Sequence, residues 1–264
     1  MKRALLLLLI ASPAHADPCA RFELAPVAAG MRESSIDAPR SACAGAGLAA
    51  GVRVQALIDT PEFYGTLAAS VYVASTVMVR GFEVGAGARV VDYRFAQNAV
   101  VTAGEFSFGP LQLGLARSFR AGPRLVWTPH LRLDTPGTDT GHAELISTVA
   151  AGVTASYELR PGLVGHGRVV GLAWASTPVD DLTAREAALV SADVGWRARR
   201  WLALLGGAEL QAGWYRGGLD HALLRLGVRF RRCCGALEVG AALPLAGAER
   251  TDAVIHIGWR RTGF

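Results

Sequence analysis

The chain has 264 residues, 51% of them apolar, with 31 glycines and a formal net charge of +5. Lys2 is the only lysine, so the remaining bases are arginines spread singly along the chain, and two of the excess charges, Lys2 and Arg3, sit in the N-terminal leader. That spread excludes a clustered nucleic-acid-binding face, and beyond the leader no stretch approaches the roughly 18 to 20 apolar residues of a membrane-spanning helix.

Residues 1–16 read as a cleavable export signal. Lys2 and Arg3 form its charged start, Leu5 to Ile10 its apolar run, and Ala14-His15-Ala16 its small-residue cleavage site. Cys19 raises the question of a lipid anchor, but Pro18 precedes it directly and no Leu stands three residues upstream. Residues 17–47 carry Pro18, Pro26 and Pro39 and show no sustained period, as expected of a periplasmic or lumen-entering segment. Cys19 and Cys43 bracket 23 residues of it and are the candidate disulfide, in keeping with an oxidising compartment. Cys233 and Cys234 fall in a predicted tight turn. Neighbouring cysteines can bond only through a strained ring, so free thiols and pairing with the N-terminal cysteines both stay open.

From Leu48 to Phe264 the pattern becomes period two, the signature of strands with one apolar and one polar face. Val52, Val54 and Ile58 oppose Arg53 and Gln55. Phe82, Val84, Ala86, Ala88 and Val90 oppose Glu83 and Arg89. Leu125, Trp127, Leu131 and Leu133 oppose Arg124, Thr128, His130 and Arg132, and Leu145, Val149, Ala151, Val153 and Tyr157 oppose Glu144, Thr148, Thr154 and Glu158. The second half is clearer still. Val190, Ala192, Val194 and Trp196 oppose Ser191, Asp193 and Arg197; Leu204, Ala208 and Leu210 oppose Glu209 and Gln211. Ala222, Leu224, Leu226, Val228 and Phe230 oppose His221, Arg225, Arg229 and Arg231, and Leu237, Val239, Ala241 and Leu243 oppose Glu238.

Turn residues separate these runs at Gly109-Pro110, Ala121-Gly122-Pro123, Arg160-Pro161-Gly162, Arg216-Gly217-Gly218 and Cys233-Cys234-Gly235. Longer polar links are predicted at Asp134 to Gly141, Ser176 to Ala184 and Gly247 to Asp252, so that short and long connections alternate. Thirteen runs can be counted. Single-chain bacterial barrels have even strand numbers, and the runs between Phe95 and Phe119 can be one strand with a bend. The sequence therefore predicts an all-β fold: a transmembrane antiparallel up-and-down barrel of about twelve strands, with short periplasmic turns and longer outer loops. The soluble alternative is a secreted β-sandwich binding protein, which shows the same alternation with its apolar faces inside. Against it stand the many Gly, Ala and Arg residues on the polar face. Trp127, Tyr157, Trp174, Trp196, Trp201, Trp214 and Trp259 also fall near strand ends, where a membrane girdle places aromatic rings.

The polar face supplies the candidate lumen lining: Arg53, Glu83, Arg89, Arg124, His130, Arg132, Glu144, Arg168, Asp193, Arg197, Glu209, Gln211, Arg225, Arg229, Glu238, His256 and Arg260. Arginine outnumbers acid among them. They can form an ion-pair network filling a narrow barrel, or a mildly anion-favouring pore. No zinc spacing exists, arginines beside His130, His221 and His256 oppose a bound cation, and no glycine-rich run precedes a helix, so no metal and no cofactor are expected. His142 near Ser147 and His166 with Ser176 match no hydrolytic motif, and no catalytic residue is assigned.

In its leader, its strands from Leu48 onwards and its C-terminal aromatic Phe264, the chain resembles outer-membrane β-barrel proteins of Gram-negative bacteria. Through Leu57-Ile58-Asp59-Thr60-Pro61 and Leu243-Pro244-Leu245-Ala246-Gly247-Ala248-Glu249-Arg250 it is similar to uncharacterised barrels of high-GC bacteria. The resemblance implies export, insertion by the barrel-assembly machinery and outer-membrane lipid as surroundings, with a structural role or a narrow pore for small solutes, anionic ones among them. It implies no substrate. A lipid-modifying barrel hydrolase, phospholipase or lipid A deacylase-like, is the enzymatic alternative, and such enzymes resemble one another in carrying Ser and His on the outer wall. One departure concerns the last strand. Ile255, Ile257 and Trp259 are out of phase with Phe264, which predicts a bulge or a strand ending near Trp259.

Overall fold

In the computed structural model of the protein, the described residues are 46–59, 64–97, 102–107, 111–135, 145–177, 183–213, 218–232, 235–247 and 253–262. The export signal, almost all of the 17–47 segment and all four cysteines lie outside them. Every element among the described residues is a strand: β1 (Gly47–Asp59), β2 (Tyr64–Val79), β3 (Phe82–Gln97), β4 (Thr102–Ser107), β5 (Leu111–Ala116), β6 (Phe119–Arg120), β7 (Leu125–Asp134), β8 (Leu145–Arg160), β9 (Leu163–Thr177), β10 (Thr183–Arg199), β11 (Leu202–Gly213), β12 (Gly218–Arg232), β13 (Gly235–Ala246) and β14 (Ala253–Thr262).

These fourteen segments form one closed antiparallel sheet, in which each strand pairs with its neighbours in the chain and β1 pairs with β14. The pairs Asp92↔Ser107 and Ala88↔Leu111 keep one register along β3, and Ala116↔His130 and Phe119↔Trp127 keep one register along β7. Segments β4, β5 and β6 are therefore one barrel strand, and the barrel has twelve. The same registers carry the segments on either side of Gly109-Pro110 in one direction, in keeping with the reading of the runs between Phe95 and Phe119 as one strand.

The tight connections gather at one end. Arg80 and Gly81, with φ of 50° and 82°, make the two-residue hairpin β2–β3, whose turn type needs a left-handed backbone at both positions. Pro161-Gly162 joins β8 to β9, Arg200-Trp201 joins β10 to β11, and two residues separate β12 from β13. Gly47 and Thr262 lie at this turn end too, paired across the seam. The longer links 136–144, 178–182 and 248–252 leave from the opposite end and lie outside the described residues.

Burial is inverted relative to a soluble protein. Val190, Val194, Leu210, Leu226, Val239, Leu243, Ile255 and Ile257 face outward and are exposed, while Asp193, Glu209, Gln211, Arg225, Glu238 and His256 face inward and are buried. Trp196, Leu226 and Val239, which a sandwich would enclose, are exposed, so the β-sandwich alternative is wrong for this chain. Phe82, Phe119, Trp127, Tyr157, Trp196, Trp201, Phe230 and Trp259 are exposed near the turn end and ring it with aromatic groups. Phe119 stacks on Trp127 at 4.7 Å and Trp201 on Phe230 at 6.2 Å. An apolar band edged by such a girdle is what hydrocarbon and its interface select.

The seam between first and last strand has ten consecutive pairs, Gly47↔Thr262 to Ala56↔Ala253, with no shift. Strand β14 thus runs past Trp259 to Thr262 without a bulge, and neither expectation for its end holds among the described residues. Inside the barrel, Tyr72 of β2 reaches over Gly51 of β1 and Gly258 of β14 to hydrogen-bond His256 at 2.5 Å, its ring stacked on the imidazole. A Cβ at either glycine would overlap the phenol. The bare backbone at two paired positions is what lets one side chain span the closing joint.

Two outcomes follow from this placement. Leu226→Arg, at a position 56% exposed on the outer wall, should cost about 2–4 kcal/mol of folding free energy in vesicles, where a soluble surface site would tolerate it. Tyr72→Ala should lower stability by about 3 kcal/mol and the temperature at which the folded band converts on a gel, by opening a cavity along the seam.

Candidate functional site: the charged lumen

The inner face concentrates charge on the wall made by β9 to β12. Alternation sends Arg168 of β9, Asp193 of β10, Glu209 of β11 and Arg225 of β12 inward, and the registers Ser191↔Arg168, Ser191↔Glu209 and Gly207↔Arg225 place them within two rows. Arg225 donates to Asp193 at 2.6 Å and to Glu209 at 2.9 Å. Arg168 donates to the same Glu209 oxygen at 3.1 Å, and His221 Nε2 donates to the other at 3.2 Å. Glu209, 0% exposed, therefore collects three donors, two from the neighbouring β12 and one from β9, which lies beyond β10. A carboxylate so enclosed persists as an ion only because those donors replace its water.

The Asp193–Arg225 bridge depends on a missing side chain. Gly207 lies between them in the ladder, and a Cβ there would overlap the Asp193 carboxylate. The carboxylate lies over β11 and meets the guanidinium from β12. Toward the loop end the wall turns apolar: Ala150, Val170, Leu172, Ala187 and Leu189 form a buried cluster on β8 to β10, and Leu223, Ala242 and Val254 another on β12 to β14. Toward the turn end a second ion pair, Arg229–Glu238, joins β12 to β13. On the other side of the lumen Arg132 pairs with Asp134 at 3.1 Å. Apolar clusters and charged groups thus alternate around the wall, with Leu189 beside Gln211 and Ala150 beside Arg132 in the ladder.

Of the residues expected to line the lumen, Glu83, His130, Arg132, Asp193, Glu209, Gln211, Arg225, Arg229, Glu238 and His256 are buried inside, and Arg168, Arg197 and Arg260 are half-buried there. Arg53 stands opposite His256, and Arg89 opposite Tyr72, in the ladder. The side chains of both, and the whole of Glu144, lie outside the described residues. Arg124 is a correction: it precedes β7 in the exposed turn, because the chain has already left the packed wall at that point. Sequence reasoning did not list Gln112, Asp134, Ser156, His166, Ser191, Asp220 or Tyr72. Most follow the same alternation and could have been read from it. Asp220 could not: a register shift beside Gln211/Ala212 leaves it unpaired with β11, and it turns inward next to His221, where Gln211 donates to it at 3.0 Å.

A serine and a histidine do meet. Ser156 Oγ lies 2.5 Å from His166 Nδ1, and Asp193 is opposite His166 in the ladder. The pair belongs to the inner wall, Ser156 is completely buried, and Asp193 is turned over Gly207 to Arg225. An acyl-transfer site needs a reachable hydroxyl with its base oriented by the acid, and neither condition is met here. The pair serves as packing.

No protein-family model matches this chain, and neither does any curated protein. Solved structures share its fold. An outer-membrane channel from Pseudomonas putida F1 aligns with a TM-score of 0.62 at 10% identity, covering 84% of this chain and 96% of that one. The KdgM porin in complex with disordered oligogalacturonate gives 0.54 at 8%, covering 82% and 99%. The β-domain of the Bordetella autotransporter BrkA gives 0.52 at 14%, covering 84% and 100%. The chain folds as barrels of the outer membrane do.

Glu209→Ala would leave three buried donors facing one another, and should destabilise the barrel by about 3–5 kcal/mol in urea unfolding from lipid vesicles. Gly207→Ala should cost about 1–3 kcal/mol, of which Asp193→Ala recovers only the part due to the carboxylate, because the Ala192 carbonyl also lies within reach of the added methyl.

Proposed function

We propose that the protein is an outer-membrane barrel whose narrow polar lumen passes small solutes, anionic ones among them, with the Arg168–Asp193–Glu209–Arg225 cluster setting how much passes and of which sign. One observation carries the reading: a paired row of buried charges enclosed by a closed wall that is apolar outside and ringed by aromatic groups. Paired charges also fill a narrow barrel, and fixed charges along a lumen are what sort ions, which is the property the experiment below reads. The cluster is balanced, two arginines against two acids, so discrimination at that level is mild. The shared fold supports a conduit through the channel and porin it aligns with, and the same fold in an autotransporter domain shows that architecture alone does not choose the role. The leader of residues 1–16 supports export, and insertion would then fall to the barrel-assembly machinery, with the turn end toward the periplasm.

Purified protein in planar bilayers under a potassium chloride gradient tests this. Small single-channel conductances are expected, and Asp193→Asn with Glu209→Gln should move the reversal potential toward anions, while Arg225→Leu should move it toward cations. Silence from the native protein and from both variants would leave a purely structural barrel.

A further inference from the structure

At the turn end, between the mouth of the lumen and the aromatic girdle, lies a cavity of about 420 Å³ lined by Arg197, Arg200, Trp201, Arg231 and Arg232. Four of its five described lining residues are arginines, and no carboxylate is among them. The side chains come from three places that the fold brings together: the last turn of β10, the β10–β11 connection and the end of β12. A backbone hydrogen bond from Arg231 N–H to the Trp201 carbonyl at 2.8 Å ties the end of β12 to the β10–β11 connection, and Arg197 N–H is held by the Gly162 carbonyl of the β8–β9 turn at 2.7 Å. Arg197 and Arg231 continue the inward rows of β10 and β12, whereas Arg200 and Arg232 are exposed at the turns. Trp201, 54% exposed, stacks on the outward-facing Phe230 and so marks the level where hydrocarbon gives way to water.

Within the interior the fold matches arginine with acid, at Glu209, Asp193 and Glu238. The cavity brings arginines of three segments to one place, permanently charged, planar and edged by an indole. Guanidinium forks match the paired oxygens of phosphate and carboxylate alike, and several around one space favour the more highly charged of the two, the phosphate. The volume suits a single phosphorylated headgroup or a small phosphate ester and is too small for a polymer.

We infer that this rim cavity is a binding site for a phosphate-bearing group. The source can be a soluble phosphate in the compartment below the turns, or the headgroup of an anionic phospholipid in the adjoining leaflet. The site uses the rim and not the β9–β12 cluster, so it stands whether or not the lumen conducts.

Two arms decide it, both with the full chain folded in detergent or nanodiscs. In the first, calorimetric titration with inorganic phosphate in chloride buffer should show saturable binding, weakened about tenfold or more in Arg200→Gln with Arg232→Gln. Trp201→Phe should keep the heat of binding and lose the fluorescence change that accompanies it. In the second, nanodiscs of phosphatidylcholine with a minor share of phosphatidylglycerol are released for native mass spectrometry. Retained phosphatidylglycerol on the native protein, lost in the double variant, identifies the lipid as the source; phosphate binding without lipid retention identifies the soluble one. Folding is checked by heat-modifiable gel mobility, and should the double variant not fold, Arg200→Gln alone, at an exposed turn position, carries the same comparison. No binding in either arm, or binding unchanged by the substitutions, overturns the proposal.

Discussion

Everything in this structure rests on one requirement: a backbone crossing hydrocarbon must satisfy every N–H and C=O from within. A sheet meets it only by having no edge, which is why the ten-pair seam between β1 and β14 matters more than any single strand. The seam joins the two ends of the barrel sequence, the pairing with the greatest chain separation and the largest ordering cost. The protein reinforces it with a side chain. Tyr72 spans the joint because Gly51 and Gly258 leave their backbone bare, and it ends on His256 of the last strand.

The same device recurs at the charged wall. Asp193 crosses Gly207 as Tyr72 crosses Gly51, and in each case a long side chain bridges non-adjacent strands over a glycine. A barrel of twelve strands encloses a narrow interior, and small residues facing large ones let it fill without pushing the wall apart. The filling here is ionic where a soluble core is greasy. That inversion is affordable only with complete pairing, since a lone buried charge costs far more than the bridge it came from. Glu209, with three donors, is the centre of that arrangement.

Architecture and role separate clearly in this protein. A channel, a porin and an autotransporter β-domain share its fold, so the shape of the wall does not say what the interior does. The distinguishing features are local: a balanced ionic cluster midway, an apolar layer beside it, and an arginine-lined cavity at the rim.

What the amino-acid sequence determined by itself was the two-faced character of the strands; that the apolar face points outward was decided by closure of the sheet, since a sandwich shows the same alternation. Period-two alternation is a local property, and Leu226, Val239 and Ile257 against Arg225, Glu238 and His256 could be sorted by counting. The even strand number and the ambiguity between Phe95 and Phe119 led to twelve for the same reason. Tertiary structure alone decided which inward residues meet. Asp193 and Arg225 are 32 residues apart and Tyr72 and His256 are 184 apart, and nothing in spacing marks either pair. Their meeting depends on register, on a bulge that turns Asp220 inward, and on glycines whose value lies in the neighbour they admit.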